Sequence, residues 1–192
     1  MSSNTVNYKN FFYPPGGILL WIIILVEIIT FGLALVALAY NNNLEPELFA
    51  SSRDMLNTHL ATFNTILLLV SGYFMADAVH GFKHQNLKKA KLGFSMAMLG
   101  GLLFVGIKSV EYYGKFSMGI SLTTNTFFTY YWLLTGFHLV HVLIGLVILF
   151  VLSRDLKKKP ETLKLEDVEA GAAFWHLCDL IWLLLFPVLY LL

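Results

Sequence analysis

Two histidines three residues apart, His138 and His141, sit inside a long apolar run. His176 and Asp179 repeat that spacing in the next run, and Glu27 lies between Val26 and Ile28 in the first. Residues three apart share one face of a helix. Ionisable groups in such surroundings are costly unless paired, so these positions carry most of the chemical information in the chain. Three chemistries fit the residue types. A haem could be held between histidines on different helices, drawn from His80, His138, His141 and His176. A non-haem metal could take Glu27, His141 and Asp179 as ligands. The third option is a set of interhelical hydrogen bonds. There Glu27 is a proton-handling, partner-contacting or neutral core acid, and Asp179 fixes one tautomer of His176.

These residues can be positioned only by membrane-spanning helices. Hydrophobic residues make up 57% of the 192-residue chain and charged ones 13%, about half the charge of an ordinary soluble domain. The charges fall between apolar runs of the length needed to cross a bilayer. The runs are continuous, without two-residue alternation, which predicts helices rather than barrel strands. The expected fold is all-α: a five-transmembrane-helix bundle with spans near residues 17–39, 58–80, 92–112, 126–152 and 171–192. These form one domain after a short arm at 1–16. The first run is too long for a signal-peptide core and is expected to remain as a helix. Gly93, Ala97, Gly100, Gly101, Gly136 and Gly145 are small enough to let helices approach closely.

Lysine and arginine fix the expected orientation. With the N-terminus cytoplasmic, Lys9, Lys83, Lys88, Lys89, Lys91, Arg154, Lys157, Lys158, Lys159 and Lys164 lie inside. Only Arg53, Lys108 and Lys115 lie outside. At 1.5 Å per residue, Glu27 is then about 15 Å from the cytoplasmic end of its span, His141 about 17 Å and His176 about 8 Å. That permits one polar cluster of Glu27, His138, His141, His176 and Asp179 in the inner half of the bilayer. Asp77, His80 and Lys83 near the inner end of span two suit lipid-headgroup or interface contacts. Lys108 and Glu111 near the outer end of span three suit either that role or a short ion pair, and a lysine there can also snorkel.

Other classes find no support. Cys178 is the only cysteine, so neither an intrachain disulfide nor a thiolate metal site can be built. There is no basic tail suited to nucleic acid. No Walker, Rossmann or HExxH motif occurs, and no pair of interrupted helices suggests a transporter repeat. The chain is not expected to be catalytic on its own.

Four segments, in order, resemble the subunit III family of cytochrome c oxidases. They are WIIILVEIITFG (21–32), FNTILLLVSG (63–72), TGFHLVHVLIG (135–145) and FWHLCDLIWLLLF (174–186). The Thr-Gly-x-His-x-x-His-Val pattern is the strongest of them. The chain is similar to the short form, which keeps the last five of seven helices. The resemblance implies a non-catalytic subunit of a haem–copper oxidase in a bacterial or archaeal cytoplasmic membrane. Haem and copper or iron would belong to partner subunits, and the chain would brace the haem-bearing catalytic one. Glu27 would match a buried glutamate associated with sustained proton uptake. His138, His141, His176 and Asp179 would be bundle residues rather than metal ligands, and phospholipid would be bound. KSVEY (108–112) and TNTFFTYY (124–131) depart toward a branch resembling accessory proteins of nitric oxide reductases. That leaves oxygen and nitric oxide both open as the substrate of the complex.

Overall fold

The computed structural model describes residues 17–192. The N-terminal arm at 1–16, with Lys9, lies outside the described residues. The described residues form α1 (Ile18–Leu44), α2 (Pro46–Asp54), α3 (Thr58–Lys83), α4 (Leu87–Ser117), α5 (Thr126–Lys158) and α6 (Leu165–Tyr190). The five helices other than α2 are long and apolar enough to cross a membrane.

Each span is longer than its hydrophobic stretch alone suggested; α3 and α5 begin where expected, and α4 begins five residues earlier. Asparagine marks all three starts. Asn57, Asn86 and Asn125 stand just before α3, α4 and α5, and their side chains accept from the backbone N–H of Leu60, Lys89 and Phe128 at 3.0, 3.1 and 2.8 Å. Such caps satisfy orphan N–H groups and start a helix before its apolar part begins. Residues 46–54, read from sequence as loop, form α2. Pro46 opens that helix, where a missing N–H costs nothing. Phe49 is buried there against the ring of Phe127, at 5.5 Å between centroids.

Helices α3 and α4 form a close hairpin. α6 packs on α3, α5 and α1, while α1 rests on α5 and α6 at the edge of the bundle. Trp175 of α6 shows how the bundle is held. Its ring enters a slot bounded by Gly101 of α4 and Gly145 of α5. A methyl at Gly145 would stand 2.8 Å from the ring. Its indole N–H donates to Ser71 Oγ of α3 at 3.0 Å, and Ser71 in turn donates to the carbonyl of Ala97 of α4 at 2.7 Å. Of the small residues expected to pack, Gly136 does not, because a Cβ there would meet nothing within 4 Å.

Candidate functional site

The expected single polar cluster resolves into separate pairs. Glu27 of α1 reaches His141 of α5, with Oε1 3.2 Å from Nε2. The other ring nitrogen, Nδ1, lies 2.9 Å from the carbonyl of Phe137. A carbonyl can only accept, so Nδ1 carries a proton. The contact between Nε2 and Oε1 then needs one further proton, placed either on the glutamate or on the ring. Glu27 and His141 thus form one hydrogen-bonding pair joining α1 to α5. Phe31, Phe137 and Phe174 surround the imidazole at 4.6–6.4 Å between ring centroids. Glu27 Oε2 is buried with no hydrogen-bond partner among the described residues.

His176 and Asp179 face each other within α6, with Nδ1 3.4 Å from Oδ2. Gly72 of α3 lies against them, and a Cβ there would collide with the carboxylate. His138 stands apart. It is fully buried, its ring stacked on Trp182 at 5.3 Å and met edge-on by Phe104 at 5.7 Å. Neither of its nitrogens has a partner among the described residues. Glu27, His141 and Asp179 do not converge as a ligand set: among the described residues, no three His, Cys, Asp or Glu side chains are grouped to hold a metal.

Near the C-terminal end of α3, Asp77 pairs with Lys89 of α4 at 2.6 Å. His80 and Lys83 are exposed. Lys108 and Glu111 correct the reading that turned them toward headgroups. Both are buried and pair at 3.0 Å inside the bundle. The lysine Nζ donates to Tyr190 OH at 2.6 Å and reaches Tyr131 OH at 3.4 Å. Both tyrosine hydroxyls donate to Glu111 Oε1 at 2.7 Å. Four rings, those of Tyr112, Tyr131, Trp182 and Tyr190, lie 4.9–5.3 Å from the ammonium. A lysine so placed does not snorkel, because its hydrogen bonds and aromatic neighbours are all inside the protein. Sequence reasoning missed Tyr131 and Tyr190. The available signal was Lys108 and Glu111, a buried-capable pair on one face needing further donors from α5 and α6. Lys115, also buried, donates to the carbonyl of Met55 and ties α4 to the end of α2.

A groove of about 530 Å³ lies at the C-terminal end of α5, lined by Met98, Phe150, Ser153, Arg154, Lys157 and Lys158.

Fold and site together define a polytopic helical membrane protein with ionisable groups paired inside the bundle. Residues 16–192 match the family described as Cytochrome c oxidase subunit III, and the chain belongs to that family. It is 28% identical over 142 residues to Cytochrome c oxidase subunit 3 of Bacillus sp. (strain PS3), covering 73% of this chain and 69% of that protein. It is 29% identical over 139 residues to Quinol oxidase subunit 3 of Bacillus spizizenii, covering 72% and 68%. Against Cytochrome c oxidase subunit 3 of Struthio camelus it is 36% identical over 129 residues, 66% of this chain and 48% of the relative. The match thus spans about half the length of that longer protein.

Proposed function

We propose that this chain is the non-catalytic, lipid-binding subunit of an oxygen-reducing haem–copper oxidase, with the N-terminus cytoplasmic and the redox centres in partner subunits. The observation that carries this reading is the family match across nearly the whole chain, joined to the way the bundle uses its ionisable side chains. Glu27 with His141, and Lys108 with Glu111, are engaged with one another inside the bundle. Such pairs suit a rigid scaffold beside a catalytic subunit. The KSVEY and TNTFFTYY segments contribute Lys108, Glu111 and Tyr131 to a packing network, so their departure has a structural use independent of the gas reduced.

The Glu27–His141 pair supports a role beside proton uptake, because it holds one proton that can stand on either partner. Glutamine at position 27 keeps the size and an oxygen but cannot share that proton. Glu27→Gln is expected to leave subunit ratios intact, slow proton uptake and shorten the working life of the complex during turnover. Unchanged uptake and lifetime in the purified complex would remove the role. The basic groove supports phospholipid binding: Arg154, Lys157 and Lys158 suit a phosphate, and Met98 with Phe150 suits the upper part of an acyl chain.

The reading is tested by purifying the chain from its own membranes in mild detergent. Mass spectrometry would identify the accompanying subunits, and a reduced-minus-oxidised spectrum would locate the haem. Haem-bearing oxidase subunits beside a haem-free chain are expected. A b-haem in stoichiometric amount on this chain alone would overturn the proposal, and nitric oxide reductase subunits as the companions would replace the oxidase.

A further inference from the structure

Lys108, Glu111, His138, His141 and Asp179 are turned into the bundle. His176 is not: its side chain is 44% exposed on the membrane face of α6. Its depth makes this informative. Gly72, which lies against His176 and Asp179, is near the middle of α3, 14 residues from Thr58 and 11 from Lys83. At the middle of a span the surrounding acyl chains offer no hydrogen-bonding groups, so an exposed imidazole is costly there. Asp179 sets which edge of the ring faces outward. It is the acid facing His176, its side chain is only 9% exposed, and its Oδ2 lies beside Nδ1. With Nδ1 taken by the carboxyl, Nε2 is the ring atom left to hydrogen-bond outside the pair. The second carboxylate oxygen, Oδ1, is buried without a partner among the described residues. The His–Asp pair is thus not closed upon itself, unlike the Lys108 network.

The surrounding surface is apolar. Leu180 and Leu183 continue the exposed stripe of α6, while Leu69 and Tyr73 flank it on α3. We propose that this α3–α6 face seats a transmembrane helix of a partner subunit, which presents a hydroxyl or amide group to His176 Nε2. The occupant is a protein helix because only a protein brings a hydrogen-bonding group to that depth. Leu69, Tyr73, Leu180 and Leu183 suit the apolar side chains on either side of such a group. This inference rests on the accessory-subunit reading and names the face and chemistry by which the chain would dock.

The test uses the intact complex, with a benzophenone amino acid in place of Leu180 and, as control, in place of Val147 on the exposed face of α5. Irradiation is expected to join the chain to a membrane-spanning segment of another subunit from position 180. The joined segment should carry serine, threonine, asparagine or tyrosine near the point of attachment. His176→Phe, which removes both ring nitrogens, should cut the yield severalfold; because it also takes away the partner of Asp179, the double variant His176→Phe/Asp179→Leu is measured beside it and should show the same loss. Adducts to lipid only, adducts to a second copy of this chain, or a yield indifferent to His176→Phe would each overturn the proposal. Adducts from position 147 but not 180 would overturn this face while leaving the accessory reading standing. If no oxidase subunit accompanies the unmodified chain, the accessory reading fails first.

Discussion

Lys108→Met is expected to be among the most destabilising single changes in the bundle, costing about 3–5 kcal/mol, the range for removing one partner of a buried ion pair. The substitution keeps an unbranched chain of similar length and removes only the ammonium. Glu111 is then left buried with two tyrosine donors and no countercharge. The aromatic box loses its cation, and Tyr190 loses the 2.6 Å bond that fixes the last turn of α6. The measurement follows from the cysteine content. Cys178 is the only cysteine and is fully buried, so a thiol-reactive fluorophore in detergent reports unfolding alone. A melting midpoint lower by roughly 2–4 °C per kcal/mol is expected for a chain of this size. Adding Glu111→Leu to Lys108→Met should restore much of the loss, because replacing both members of a buried pair by apolar groups is often neutral. A single variant as stable as the parent would show that the pair does not hold α4 to α5 and α6.

Trp175→Ala is expected to cost about as much, roughly 3–5 kcal/mol, by a different mechanism. Lipid is as apolar as the interior, so the loss is not one of burial from water. It is the dispersion contact of a large ring in a fitted slot, together with the indole bond to Ser71. Gly101 and Gly145 leave space that alanine at 175 cannot fill, and Ser71 keeps only its bond to the Ala97 carbonyl. Thermal melting followed by circular dichroism is the suitable readout, because a cavity beside Cys178 would confuse a thiol probe. Gly145→Val, which fills the slot from the other side, should also destabilise, by about 1–3 kcal/mol. If Trp175→Ala melts with the parent, the slot is not the element that joins the four helices.

Individual residues show where the sequence was legible. The all-helical class followed from five apolar runs, because a bilayer admits few other solutions for the backbone. The starts of α3 and α5 were read correctly at 58 and 126; that of α4 was placed five residues late, where Asn86 stands in the position of a capping side chain. Helix α2 was obscured by its polarity, since only Phe49 and Ser52 of its nine residues are buried. The i,i+3 spacing of Lys108 and Glu111 correctly allowed an ion pair but not its depth. Their position near a span end fits a headgroup contact equally well, and the decision depended on Tyr131 and Tyr190, 20 and 79 residues from Glu111.

The sequence by itself determined that the chain is a five-span membrane protein of the subunit III family, because run length, charge placement and four ordered motifs are local properties. Only the tertiary structure decided which ionisable groups meet. Equal spacing along separate helices does not set their rotation or height relative to one another. His138 and His141 share a face by sequence, yet His141 meets Glu27 while His138 is enclosed by Phe104 and Trp182. The glycine contacts and interhelical hydrogen bonds set that register, and each is made between residues too far apart in sequence for periodicity to reveal.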